Sequence, residues 1–289
     1  MSAPQPAPSL TEVVAVLERL YPPETAQSWD RVGLVTGDLA QPVRRIHLAV
    51  DPTLAVVAEA RDAGADLLLT HHPLMLRGVH SVATTSAKGA AVTDLIVADL
   101  ALYCAHTNAD VAAGGVCDAL AQACALEEVE PMAVEEGRSM GRVGRLPEPV
   151  SLRRFVEALA AQLPEAPGGI RVAGPADATV RHVAVLGGAG DSLLDAARAS
   201  GADVYVTADL RHHPVLEMRE ETRGAAPYLV DAGHWATESL WLEHAARALE
   251  EAFPGDAGEA SRVETHISTV CTDPWEFTVG ARGPQEPSA

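Results

Sequence analysis

The chain has 289 residues, room for two modest domains that each bury a core; 47% are hydrophobic but only 4% aromatic, which excludes a largely disordered chain and leaves a core of Ala, Val and Leu. With 40 acidic against 21 basic residues the formal charge is −19, a field that repels nucleic-acid backbones and anionic lipid and favours cations. No apolar run approaches the ~20 residues of a bilayer span and "MSAPQPAPS" lacks the basic and apolar sections of a signal peptide, so a cytoplasmic protein without membrane or nucleic-acid partners is expected.

In chain order, residues 1–9 are expected as a flexible tail that ends in a capping box, Ser9 with Glu12, ahead of "TEVVAVLERLYPP". Val13, Val14, Leu17 and Leu20 share one helical face, and Pro22-Pro23 stop that helix. "RRIHLAVD" (Arg44–Asp51) reads as a buried strand and "PTLAVVAEARDAG" as a helix closed by Gly64. "ADLLLT" is the next strand, "GAAVTDLIVADL" a helix and "ALYCAHT" a strand, the alternation of a parallel α/β sheet. "EPMAVEEGRSMGRVGRLPEP" (Glu130–Pro149), rich in Gly, Pro and charge, is expected to link two lobes.

The second half repeats the first. "RHVAVLGGAGD" (Arg181–Asp191) reads as strand and turn, "SLLDAARASG" as helix, and "ADVYVT" as strand. "AGADLLLT" (Ala63–Thr70) lies over "SGADVYVT" (Ser200–Thr207), 137 residues apart throughout, and the same spacing sets Ile46 and Leu48 on Val183 and Val185. The pair His71-His72 then recurs as His212-His213, four residues late. Two related α/β lobes follow, 10–128 and 150–279, with a cleft between them for a site. A helix at 234–253 is expected to close that cleft, "VETHIST" to be the last strand, and 280–289 to be a second flexible tail.

Strand and helix ends carry the chemistry. "LLLTHHPL" leaves its strand with His71 and His72 adjacent, and successive side chains on extended chain point oppositely. The two rings are therefore expected on two neighbouring ions rather than on one. "CAHTNAD" brings His106 and Asp110 to the carboxyl edge of the sheet, where open α/β sheets place ligands. In "DAGHWATES", His234 and Glu238 are four apart and share a helical face. His71, His72, Asp110, His234 and Glu238 form a candidate metal set whose imidazoles and carboxylates suit Zn, Fe or Mn better than Ca. Each also admits an ordinary hydrogen-bonded role, the reading given to His47, His80, His182, His244 and His266. Cys104, Cys117, Cys124 and Cys271 form no C-x-x-C pair and read as reduced thiols. "GGAGD" (Gly187–Asp191) lacks the third glycine of a dinucleotide fingerprint and reads as a tight turn. The part played by His212-His213 stays open.

Together "SWDRVGL", "LLLTHHPL", "AHTNAD", "SGADVYVTADLRHH" and "DAGHWATE" resemble the Nif-three-like dinuclear metal centre family, whose members are named GTP cyclohydrolase 1 type 2 homologues. The resemblance runs from the first helix to the helix of His234 and Glu238. It implies two similar α/β lobes, a homohexamer, and two divalent ions per chain in the cleft. It implies Glu238 as bridge, His71 with His234 on one ion and His72 with Asp110 on the other, and His106, Thr107, Asp209 and His213 as groups near the ions or the substrate. It also implies a glycine where this chain has Ala208. The function it implies is hydrolysis of a nucleotide or phosphoester-type small molecule; the alternative is a non-enzymatic metal-binding protein that acts through protein partners.

Overall fold

In a computed structural model that describes residues 6–255 and 261–280, the capping box forms: the Ser9 N–H donates to Glu12 Oε2 at 2.7 Å and Ser9 Oγ accepts from the Glu12 N–H. It opens α1 (Leu10–Leu20), whose Leu10, Val13 and Leu17 are wholly buried. Part of the expected tail is tied down, because the Pro8 carbonyl accepts from the Val43 N–H at 2.8 Å. The rest of both expected tails, 1–5 and 281–289, lies outside the described residues.

Two sheets carry the fold. In the first are β1 (Gly33–Thr36), β2 (Arg45–Ala49), β3 (Leu67–Thr70) and β4 (Ala101–Cys104), with α2 (Leu54–Asp62) and α3 (Ala87–Val97) as crossovers. Its order is β1-β4-β3-β2 followed by β11 (Glu264–Ile267), with β1 antiparallel and the other pairs parallel. After α4 (Thr107–Val111) and α5 (Val116–Ala123) the chain enters the second sheet. Here β5 (Glu127–Glu135) and β6 (Arg138–Ser151) precede α6 (Leu152–Ala160), β7 (Arg171–Ala173), β8 (Thr179–Ala189), α7 (Leu194–Ala199), β9 (Val204–Ala208), α8 (His212–Glu221) and β10 (Tyr228–Asp231). The order is β5-β6-β8-β9-β10-β7, with β8, β9 and β10 parallel.

The internal repeat is real down to the ladder. Ile46 pairs with Leu67 and Leu48 with Leu69, just as Val183 pairs with Val204 and Val185 with Val206. One acidic device recurs with it. Asp66 Oδ2 accepts the N–H groups of Arg44 and Arg45 at 2.6 and 2.9 Å, and Asp203 Oδ2 those of Arg181 and His182 at 2.8 and 2.9 Å. Strongly apolar strands, buried on both faces, make both halves parallel cores.

Two expectations need correcting. Glu130–Pro149 is no linker: β5 and β6 pair as a hairpin on the edge of the second sheet. Its exposed residues carry the charge, while Met132, Met140 and Leu146 turn inward. Nor do the last elements stay with the second half. The long helix α9 (His234–Ala252) leaves β10, yet Trp241, Leu242, Ala245 and Leu249 pack into the first core with α1. The last strand β11 (Glu264–Ile267) then pairs with β2, so the halves interlock. Among the described residues no helix is long and apolar enough to cross a membrane.

Candidate metal centre

Three strand ends converge here. Past β3, the N–H of His71 reaches the Ala49 carbonyl at 3.2 Å and that of His72 the Val50 carbonyl at 2.8 Å. After β4 the chain turns at once into α4, which brings His106 and Asp110. At the matching place in the second half, β10 runs into α9, which brings His234 and Glu238. The carboxyl edges of the two parallel sheets thus face one another across the site.

Each of four imidazoles has its Nδ1 held from outside. The Nδ1–H of His71 donates to the Ala105 carbonyl at 2.9 Å, and that of His72 to Asp51 at 2.7 Å. His106 donates likewise to Asp30 at 2.9 Å and His234 to Asp209 at 2.8 Å. An oxygen acceptor at Nδ1 fixes a proton there and leaves Nε2 as the nitrogen that a cation can take. For His71, His72 and His234 the Nε2 atoms meet the Glu238 carboxylate, at 3.4 Å and 2.9 Å from Oε1 for His71 and His234, and 3.1 Å from Oε2 for His72. His71 Nε2 also lies 3.6 Å from Asp110 Oδ1, and His72 Nε2 lies 3.3 Å from His234 Nε2.

His71 Nε2, Asp110 Oδ1 and Glu238 Oε2 are buried and make no hydrogen bond. An orphaned buried polar atom costs about 1–3 kcal/mol, and three around one point are a donor set rather than a packing accident. Burial pushes the Asp110 carboxyl up to about 6, against the pull of His71. Burial would raise Glu238 too, but His71 and His72 hold it well below the carboxylate range. Burial also opposes a charge on His72 and His234, yet Glu238, with Asp51 and Asp209, raises them to about 10 and about 9. Two donor groupings able to hold a metal ion emerge, His71–His72–His106 and His72–His234–Glu238, with ligand atoms within 4.8 Å of one another.

Several expectations change. His71 and His72 do not point to opposite sides: the strand ends at Thr70, the chain bends, and the rings lie 5.0 Å apart, tilted by 45°. His72 stands close to His234 and His71 to Asp110, while His71 and His234, the pair implied by resemblance, face the same Glu238 oxygen. His106, expected beside the ions, stands among the donors. Thr107 lies outside them, its Oγ1 donating to Asp30 at 2.6 Å. Asp209 is a support for His234. His213, the second residue of α8, is exposed and edge-on to His212. The repeat spacing instead sets Ala208 and Asp209 on His71 and His72, and Asp209 takes the left-handed backbone, φ 54°. Asp30 and Asp51 were missed, although Asp30 sits inside "SWDRVGL" and Asp51 ends the run "RRIHLAVD".

The turn "GGAGD" also acquires a reason. At Gly188, φ +69°, a Cβ would lie 2.2 Å from Glu238 Oε1 and 3.3 Å from His234 Nε2. Gly188→Ala is expected to destabilise the fold by about 1–3 kcal/mol through backbone strain alone and to push the Glu238 carboxylate off its place. Thermal unfolding measures the first effect, and an unchanged midpoint would contradict it.

The model of the family Duf34/NIF3 (NGG1p interacting factor 3) matches residues 8–274. A protein of Streptomyces coelicolor named GTP cyclohydrolase 1 type 2 homolog is 49% identical, over 95% of this chain and 96% of that one. One of the same name from Mycobacterium tuberculosis is 34% identical over 93% and 97%; its alignment runs to 377 positions, so it carries residues this chain lacks. Among solved structures, the Bacillus cereus protein related to NIF3 superposes with a TM-score of 0.84 at 27% identity, covering 95% of this chain and all of that one.

Proposed function

The chain belongs to the Duf34/NIF3 (NGG1p interacting factor 3) family, and on that premise we propose that it holds a pair of divalent cations at this centre and hydrolyses a small nucleotide or phosphoester-type substrate, as a cytoplasmic homohexamer. The observation that carries the reading is the convergence of three buried, unpartnered donor atoms with imidazoles whose outer nitrogens are already committed. Glu238, with Oε1 facing His71 and His234 and Oε2 facing His72, would be the carboxylate shared by the pair. His71, His72, Asp110, His234 and Glu238 would hold the ions, with His106 beside them. Imidazole with carboxylate favours Zn, Fe or Mn. When bound, such a pair supplies Lewis acidity and activates water near neutral pH.

The chain's own groups do the rest. Asp51, Asp209, Asp30 and the Ala105 carbonyl fix ring orientation, so each Nε2 is aimed inward before any ligand arrives. A cavity of about 330 Å³ opens on His72, His106, Asp110, His234 and Glu238, of a size for a small molecule. Nucleotides, phosphoesters and GTP tested against metal-loaded protein, with Glu238→Ala as control, decide the matter; turnover unaffected by that variant would refute the assignment. The family's own description as an interacting factor favours a second reading, a metal-dependent binding protein, which the absence of turnover across the panel would support.

A proton linkage follows. His72 and His234, raised to about 10 and about 9 in the metal-free protein, carry protons at neutral pH that a cation must displace. Zinc binding is expected to release about one to two protons per chain at pH ~7.5, and apparent affinity to rise with pH through this range. Calorimetry in buffers of different ionisation heat reads the number directly. Release of none would contradict the assignment of these nitrogens.

A further inference from the structure

A second cavity, of about 660 Å³, reaches the same His72 and His234 from the other side, and its outer wall is the segment after β11. That segment is a strap pinned at both ends. Next to β11 the Ser268 N–H donates to the Leu48 carbonyl at 2.8 Å, and Thr269 Oγ1 donates to Glu59 at 2.6 Å. Midway, Thr272 Oγ1 donates to Asp51, which orients His72, at 2.5 Å. In the second half, Thr278 Oγ1 donates to the Pro167 carbonyl at 2.7 Å. Between these ties Trp275 and Phe277 line the cavity, 67% and 77% exposed.

Aromatic side chains are scarce in this chain, yet Trp235 and Trp275 line this cavity and Trp29 the smaller one, three of its four tryptophans. The charges on the walls are as lopsided. Asp51, Asp209, Asp231 and Asp273 line the larger cavity; Asp110, Glu135 and Glu238 line the smaller. Among the described lining residues the one guanidinium, Arg171, is already paired with Asp231. Even two divalent cations would leave these walls net negative, and no forked donor stands free to clasp phosphates.

We propose that the larger cavity takes an uncharged, nucleoside-like heteroaromatic ligand whose ring lies against Trp275, and that it discriminates against polyphosphates. This rests on the two-cation reading and replaces its phosphorylated substrate with an uncharged, base-bearing one. A flat ring gains contact on an aromatic face whatever its substituents, whereas a triphosphate enters against the field of the walls.

Guanosine, GMP and GTP carry one ring and increasing negative charge, and their binding to the zinc-loaded full chain separates ring from phosphate. Guanosine is expected to bind tightest and GTP at least about tenfold weaker at low salt, the gap narrowing as salt rises. Trp275→Ala is expected to weaken guanosine about tenfold, Trp275→Phe to retain most of the binding, and both to keep the zinc content. GTP binding as tightly as guanosine, an indifferent Trp275→Ala, or zinc-loaded protein that binds none of the three would overturn the ligand assignment. Zinc content, read separately, distinguishes the failures: protein that takes up no zinc loses the cation reading and this inference together.

Discussion

Glu238→Ala is expected to lower metal affinity by more than about a hundredfold and to leave purified protein with almost no metal, while the chain still folds. Removing a group that merely orients a ligand costs about 10–100-fold in affinity. Glu238 does more, because its two oxygens lie within 3.4 Å of three imidazole nitrogens that come from both halves of the molecule. It is 3% exposed, so water cannot take over at the same place. Folding should survive, since Trp241 and Leu242 on the same helix stay locked in the first core. Glu238→Gln keeps the shape but loses the charge and is expected to fall between the two. Metal analysis after equilibration with micromolar zinc checks the expectation, and full occupancy in the alanine variant would refute the bridging role.

Asp30→Ala should produce the largest loss of stability. The Asp30 side chain is wholly buried and accepts from the Thr107 N–H at 3.1 Å, the Thr107 hydroxyl at 2.6 Å and His106 Nδ1 at 2.9 Å. Its removal orphans these donors where water has little access, which costs about 3–5 kcal/mol and lowers the unfolding midpoint by roughly 10 °C. Burial alone would raise the Asp30 carboxyl, but hydrogen bonds from His106 and Thr107 hold it well below the usual range. Its contribution is therefore present above the unfolded carboxylate value, near pH ~4, and is lost as pH falls towards the lower folded value. The variant should show a flatter acid limb in stability against pH. A midpoint within a degree or two of wild type, with the acid limb unchanged, would contradict this account.

What could be read from the sequence was whatever repeated or alternated. "LLLT" and "VYVT" are buried runs at a fixed spacing, and the ladders pair them identically. The five candidate residues could be picked out because strand ends and an i, i+4 step leave few directions for a side chain, and the fold brings them together. From spacing alone His106 competes with Asp110 on the same turn, and the fold sets its ring 5.1 and 5.4 Å from those of His71 and His72. The four-residue shift in the histidine repeat carries His212 and His213 into α8, and the topological heirs of His71 and His72 are Ala208 and Asp209. Asp30 and Asp51 were hidden among 40 acidic residues; only the fold shows which carboxylates face an Nδ1. The β5–β6 hairpin resembled a linker because an exposed edge strand and a solvated connection share a composition.

The most direct measurement is diffraction from zinc-equilibrated crystals at the metal's absorption edge. Two anomalous peaks about 3.5–4 Å apart, one on each side of Glu238 and bounded by His71, His72, Asp110 and His234, are the expected result. Fully formed side chains with no peak between them would contradict it.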